Sequence, residues 1–302
     1  MEFAFTIIIP HKDIPDLLRR CLDSIPERDD LHVIIVDDDS DPSKVDFTCF
    51  PGLDRPDCEV VFTKEGKGAG YARNIALELA DSRWILFADA DDYYTDDLNT
   101  FLDRYKDSDA DLVFYENVTV DNRTGEYMEK DLFVKTRRLE CTVYNDYAPL
   151  RYRTDPPWTK MVRTGLIRKY HVRFQEIIAG NDVWFSAQVG HFAKNITVSD
   201  LRVYVRTIRE GSLVHTLSAE NLLARMETAY KVNAFLIKTG KSDYSLPTSD
   251  YLLELRKVSQ RLFIRNVIPY LYHTPNKCIL KDIRRFVEWH FRKLTRYTFP
   301  DG

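Results

Sequence analysis

The sequence predicts an α/β protein in which helices flank a mostly parallel sheet, with a helical extension at the C-terminal end. Three observations predict it. Short β-branched apolar runs alternate with segments of helical periodicity; two of those runs end in clustered aspartates; and beyond Ser218 the pattern is helical throughout.

The first run, Phe5 to Ile9, is apolar at nearly every position and closed by Pro10, as a buried strand should be. Ile14, Leu17, Leu18, Cys21, Leu22 and Ile25 then recur at helical spacing, up to Pro26. Val33 to Val36 is the second strand and runs straight into Asp37-Asp38-Asp39-Ser40; Glu59 to Phe62 is the third. A loop with Gly66, Gly68 and Gly70 leads into a helix through Ala72, Ile75, Ala76 and Leu79. Trp84 to Ala88 is the fourth strand and delivers Asp89-Ala90-Asp91-Asp92. A helix from Leu98 to Tyr105 and a fifth strand from Leu112 to Tyr115 follow.

From about Asn117 to Arg209 the chain is less periodic and holds the stretch Pro156-Pro157-Trp158-Thr159-Lys160. After Ser218, Leu222, Met226, Ala229 and Tyr230 mark one helix face; Leu252, Leu255, Val258 and Leu262 mark a second. Ile279, Ile283, Phe286, Val287 and Leu294 mark a third. Strands alternating with helices imply βαβ units, and in such sheets ligands bind beyond the carboxyl ends of the strands. Both acidic motifs leave a carboxyl end, so the topology carries them to one rim.

At 302 residues the chain is long enough for a large buried core, and its 44% apolar and 30% charged residues are ordinary for a globular protein. Five cysteines, an odd number without CxxC spacing, predict reduced thiols and a cytoplasmic protein. The start, Met1-Glu2-Phe3-Ala4-Phe5, lacks the basic and long apolar regions of a signal peptide. No apolar run reaches the roughly 18 residues of a membrane span. From Tyr251 onward 11 Lys/Arg face 4 Asp/Glu, a balance of +7, which leaves −11 for the rest of a chain whose net charge is −4. An acidic body with a basic end suggests two regions with different jobs, and no base-reading motif accompanies the basic residues, which argues against nucleic acid.

Carboxylates as close as those of Asp89, Asp91 and Asp92 repel one another unless a cation or a donor compensates. A hard divalent ion does so with oxygen ligands, often one or two carboxylates plus substrate phosphates. By spacing alone the cluster suits such a site or a solvated turn with capping aspartates equally well.

Taken together, the ordered motifs resemble the family 2 glycosyltransferases of the GT-A fold, with its Rossmann-like sheet, and most of all bacterial enzymes that assemble surface polysaccharides. The resemblance runs from Phe5 to about Ser212 and is carried by Thr6-Ile7-Ile8-Ile9-Pro10, Val36-Asp37-Asp38-Asp39-Ser40-Asp41, Gly70-Tyr71-Ala72-Arg73-Asn74, Asp89-Ala90-Asp91-Asp92, Trp158-Thr159-Lys160 and Gly180-Asn181-Asp182. It implies a nucleotide-sugar donor, UDP-linked, with Pro10 and Asp38 at the nucleobase, Asp89 near the ribose or donor sugar, and Asp91 on a Mn²⁺ or Mg²⁺ ion. It further implies support of the rim by Asp92, Arg73 and Asn74, a phosphate contact by Lys67, and a loop from Arg206 to Ser212 that closes over the diphosphate through Arg209 and Ser212. His215 would complete the metal shell, and Trp158 and Lys160 would meet a saccharide acceptor.

Asp182 is the implied general base, since inverting transfer needs a carboxylate to take the acceptor hydroxyl's proton. Relatives usually carry Glu-Asp there; this chain has Asn181-Asp182, so the departure spares the base. The implied organisation is a catalytic domain over residues 1–215, with a donor half at 1–116 and an acceptor half at 117–215, and a helical region at 216–302. Lys281, Arg284, Arg285, Arg292, Lys293 and Arg296 make the last helix basic and amphipathic. Such a helix either lies on an anionic membrane face, where lipid-linked acceptors reside, or packs on the domain with its basic side in water. Two rival readings are a sugar-phosphate nucleotidyltransferase and a non-catalytic sugar-binding protein. The first wants a glycine-rich loop after the first strand, where Pro10-His11-Lys12-Asp13 stands; the second sits poorly with retention of both Asp91 and Asp182.

Overall fold

The computed structural model describes residues 3–128, 132–144, 146–208 and 218–274, together with 279–280 and 283–284. The chain forms two compact units, Met1–Val214 and His215–Gly302.

In the first unit the chain order is β1 (Phe5–His11), α1 (Pro15–Asp23), β2 (Leu31–Asp38), β3 (Cys58–Thr63), α2 (Ala69–Leu79), β4 (Trp84–Phe87), β5 (Tyr93–Tyr94) and α3 (Asp97–Tyr105). It continues with β6 (Leu112–Asp121), β7 (Tyr127–Met128), α4 (Phe133–Tyr144), α5 (Ala148–Arg153), β8 (Lys160–Arg163), α6 (Thr164–Lys169), α7 (Asn181–Phe192) and β9 (Ile196–Ile208). Among the described residues these strands make one nine-stranded sheet in the order β3-β2-β1-β4-β8-β6-β9-β5, with β7 paired to β6.

The half built from β1 to β4 is parallel, as the alternating pattern predicts. Beyond β4 the sheet becomes mixed, because β8 inserts antiparallel to both β4 and β6. The apolar runs are continuous because both faces are covered. Phe5, Ile7 and Ile9 of β1 point into a core with Leu18 and Leu22 of α1 and Phe101 of α3. Ile8 points the other way, into a core with Ala72 and Ala76 of α2 and Phe185 and Val189 of α7. One strand therefore anchors two helical layers by pleat alone.

The irregular middle holds more order than its sequence pattern suggests, since α4 to α7, β8 and β9 lie there. The segment expected to be a closing loop also begins differently: Arg206, Thr207 and Ile208 belong to β9, paired in parallel with Thr119, Val120 and Asp121 of β6.

The second unit holds α8 (Ala219–Lys238), α9 (Thr248–Val258) and α10 (Gln260–His273). Leu222, Met226, Leu252, Leu255 and Tyr270 form its core. The single helix face expected over Leu252 to Leu262 is broken at Ser259, whose backbone is extended and whose hydroxyl accepts the Leu262 amide as the cap of α10. No helix among the described residues is long and apolar enough to cross a membrane. Most of the basic segment from Lys277 to Arg296 lies outside the described residues.

Candidate active site

Parallel pairing of β1 with β2 and β4 sets Pro10 opposite Val36, His11 opposite Asp37 and Ile8 opposite Phe87. The strand ends therefore deliver Pro10, Asp37, Asp38 and the turn Asp89–Asp92 to one rim.

Asp37 and Asp38 do different work there. Asp37 is buried and accepts from His11 Nδ1 at 2.6 Å and from the Ser40 hydroxyl and amide. The Ile14 amide donates to His11 Nε2, which leaves Nδ1 as the protonated nitrogen of that ring. Burial pushes the Asp37 carboxyl up, but the hydrogen bonds from His11 and Ser40 outweigh it and hold the group below the ordinary carboxylate range. Asp38, 2% exposed, reaches across to the glycine loop and accepts from the Gly68 and Lys67 amides and the Thr63 hydroxyl. Those bonds pin the loop, and an ionised carboxylate offers about four lone-pair sites, so Asp38 keeps capacity for one more donor. Pro10 is buried opposite Val36, with no N–H to satisfy. The Lys67 ammonium pairs with Glu65 at 3.0 Å and lies 4.8 Å from the Tyr71 ring centre.

The acidic turn is built in two layers. Asp92 is buried and accepts from the Thr207 amide at 2.7 Å and the Tyr204 hydroxyl at 2.9 Å, while that hydroxyl accepts the Asp89 amide at 2.9 Å. Asp92 thus latches the turn to β9. Burial, and then the charges of Asp89 and Asp91, push its carboxyl far above the ordinary range. The Asp91 carbonyl is held by Arg20 and by the Thr207 hydroxyl, which fixes its backbone at the rim.

Arg73 connects this turn to the implied base. Its guanidinium, 6% exposed, donates to Asp89 Oδ1 at 2.5 Å and to Asn181 Oδ1 at 2.9 Å. Asn181 opens α7, and Asp182 follows it in the first turn, where the helix dipole favours a carboxylate. One buried cation therefore spans the acidic turn and the start of α7. A Glu in place of Asn181 would bring a second carboxylate to Arg73; the amide accepts a hydrogen bond and leaves the guanidinium's charge to Asp89. The Asp89 carboxyl is raised all the same, by burial first and then by Asp91 and Asp182, with Arg73 opposing.

Two further groups face Asp182. The Lys160 ammonium is fully buried and donates to the Thr154 carbonyl at 2.6 Å and the Ser186 hydroxyl at 2.8 Å; Ser186 in turn donates to the Asp155 carbonyl. Burial pushes Lys160 down to about 7, against the charges of Asp155 and Asp182. Burial also pushes Asp155 up to about 7, with Asp182 adding to the rise and Lys160 opposing it. The direct acceptor contact expected of Lys160 and Trp158 does not follow from this geometry. Trp158 is 5% exposed and stacks on Tyr204 at 4.9 Å, so its ring holds the residue that latches the acidic turn. Arg209, Ser212 and His215 lie outside the described residues.

Comparison with known proteins agrees with this frame. The family model described as glycosyl transferase family 2 matches residues 6–171, more than half of the chain. The chain belongs to that family. Poly(ribitol-phosphate) beta-N-acetylglucosaminyltransferase TarS of Staphylococcus aureus is 24% identical to this transferase over 339 aligned positions, which cover 98% of this chain and 57% of the relative. The chain thus spans little more than half of that relative's length. The crystal structure of S. aureus TarS 1-349 in complex with UDP-GlcNAc superposes with a TM-score of 0.60 at 20% identity, covering 94% of this chain and 79% of that one. Mannosyltransferase PcManGT from Pyrobaculum calidifontis, in complex with GDP-Man and Mn²⁺, gives a TM-score of 0.53 at 16% identity over 94% of this chain and 84% of that one. The fold is accordingly the GT-A fold.

In this transferase the motif Gly70-Tyr71-Ala72-Arg73-Asn74 works as a dock for the segment ahead of α7. A Cβ on Gly70 would stand 2.1 Å from the Gln175 carbonyl oxygen, closer than any real contact. Asn74 exchanges hydrogen bonds with the Phe174 carbonyl and amide. Phe174 stacks on Phe185 of α7 at 4.1 Å, and both rings meet Phe87 just before the acidic turn. Gly70→Ala is therefore expected to push α7 outward, at about 1–3 kcal/mol of stability. Thermal unfolding, with transfer activity lost more steeply than stability, checks it.

Asp155 and Ser186 join this candidate site, and sequence reasoning missed both. The signal for Ser186 was its spacing four residues after Asp182 on a helix. Asp155 carries no such signal, since only the tertiary fold brings it to α7.

Proposed function

We propose that the protein transfers a sugar, with inversion, from a UDP-linked donor to a hydroxyl of a cell-surface polysaccharide or teichoic-acid-type chain. The observation that carries this reading is the Arg73 bridge, which joins the donor-side turn at Asp89 to the helix of Asp182. In this reading Asp38 takes the remaining uracil N–H, Pro10 lines the base, and Asp89 holds the ribose or donor sugar. Asp182 accepts the proton of the acceptor hydroxyl as its oxygen attacks the anomeric carbon. Lys160 and Trp158 act from beneath, on Asp182 and on Tyr204, and Lys67 serves the phosphates after release from Glu65. The acceptor is carried on a polyprenyl diphosphate, and the poly(ribitol-phosphate) in the name of the Staphylococcus relative supports the polymer class.

A divalent cation fits the donor set. Among the described residues no three or more His, Cys, Asp or Glu groups gather to hold one. The available donors are the hard carboxylate oxygens of Asp91 and Asp89, and a Mn²⁺ or Mg²⁺ ion commonly takes one or two of these and completes its shell from substrate phosphates. Burial is the first cause of the raised Asp89 carboxyl, and the charges of Asp91 and Asp182 add the repulsion that such an ion relieves. Bound there, it supplies Lewis-acid neutralisation of the departing diphosphate.

The test is a panel of UDP- and GDP-sugars with and without Mn²⁺. At a donor concentration near a hundred times Kd, binding adds about 2.7 kcal/mol, a rise in Tm of roughly 5–10 °C, together with slow donor hydrolysis. If no nucleotide-sugar raises Tm, the reading is wrong. Asp91→Ala is expected to abolish the Mn²⁺-dependent part of that rise while leaving Tm without ligand within about 1 °C, measured by the same thermal scans.

A further inference from the structure

The second unit presents a surface that its own core does not use. On α10, Arg261, Ile264, Arg265, Ile268, Leu271 and Tyr272 recur at helical spacing and all are exposed. Ile264 is 62% exposed, Ile268 76% and Tyr272 84%. The opposite face of the helix supplies Tyr270 to the core, with Leu262 and Phe263 packed against it. Beyond the helix, Leu280 and Ile283 are exposed as well. Scattered exposed apolar residues are normal, but a continuous stripe of bulky ones has an occupant.

Charge identifies the occupant. Between Glu254 and Asp282 the sequence holds six Lys/Arg and no Asp or Glu. Arg261 and Arg265 interrupt the stripe itself, and neither has a carboxylate partner among the described residues. A second copy docked stripe to stripe would bring guanidiniums together with no acid in that stretch to pair them. An anionic lipid surface satisfies both halves of the pattern, taking the apolar side chains and Tyr272 into the headgroup boundary and pairing the arginines with lipid phosphates.

We infer that α10, through Ile264, Ile268, Leu271 and Tyr272 flanked by Arg261 and Arg265, is a docking face for an anionic membrane surface. This assigns the contact to α10, whatever the later basic segment adds. It is independent of the donor and acceptor chemistry proposed above.

The full chain is tested by co-sedimentation with vesicles of phosphatidylglycerol and phosphatidylcholine, and of phosphatidylcholine alone, at low and high salt. Binding is expected to the mixed vesicles only, and to fall with salt. Ile264→Glu/Ile268→Glu is expected to lose binding at least tenfold, and Arg261→Gln/Arg265→Gln roughly thirty-fold. Both substitutions sit on exposed positions, and unchanged unfolding curves and unchanged donor hydrolysis check that the fold and the catalytic unit are intact. Equal binding by wild type and the Ile264→Glu/Ile268→Glu variant would overturn the assignment. So would indifference of the wild type to mixed vesicles, or a concentration-dependent dimer, seen by analytical ultracentrifugation, that these glutamates dissociate.

Discussion

Asp182→Asn is expected to lower kcat for transfer by roughly 10²–10⁴-fold while the donor KM and the Mn²⁺-dependent Tm shift stay at wild-type values. The amide keeps the size and polarity of the side chain in the first turn of α7, so the helix start and its bridge through Asn181 and Arg73 survive. What it removes is the only property at issue, the capacity to accept a proton. Loss of the carboxylate also relieves the repulsion that Asp182 exerts on Asp89 and Asp155, so stability is not expected to fall. Steady-state kinetics with a saturating acceptor, run beside thermal unfolding, separate the two effects. Transfer retained within tenfold of wild type would remove Asp182 from the role of base, and a raised donor KM would make it a binding residue.

The strand-end motifs were legible because they are local. An apolar run ending in aspartates places those aspartates at a rim whatever else the chain does, and the pairing of β1 with β2 and β4 brings Asp38 and Asp89 there. Beyond the strand that starts at Leu112, the second half of the sheet was not legible, for the converse reason. β8 is four residues long and begins and ends with cations, a poor strand by pattern. It is held largely by distant partners: Arg163 donates to the Ala110 and Ser108 carbonyls and Lys160 to the Ser186 hydroxyl, with the nearby Thr154 carbonyl as a second acceptor. The same gap separates Trp158 and Lys160 as motif letters from their role. The family resemblance marked them as acceptor residues, while the fold buries them against Tyr204 and against Ser186 on the helix of Asp182. Arg73 is the intermediate case. The resemblance of its motif implied support of the rim, but the bond to Asn181, 108 residues on, is what makes it a link between the acidic turn and the start of α7.

Lys160→Met is expected to move the acidic limb of the kcat/KM profile upward by on the order of 1 pH unit, and to cost about 3–5 kcal/mol of stability. Among the cations that act on Asp155, the buried Lys160 ammonium most opposes the rise of that carboxyl. Without it, Asp155 and Asp182 stabilise one another's protonated forms, and the base is ionised only at higher pH. Adding Asp155→Asn removes the second negative charge and is expected to bring the limb back towards wild type and recover part of the stability, the signature of a coupled pair. The stability profile carries its own sign. Asp155 is raised from 3.8 to about 7, so its contribution is complete below pH 3.8 and is lost as pH rises through about 7. Lys160 is lowered from 10.5 to about 7, so its contribution is complete above pH 10.5 and is lost as pH falls through about 7. The pair therefore makes the wild-type Tm dip near pH 7, and Lys160→Met/Asp155→Asn is expected to flatten that dip. A limb that stays in place in Lys160→Met would separate the buried lysine from the base and leave it a structural group alone.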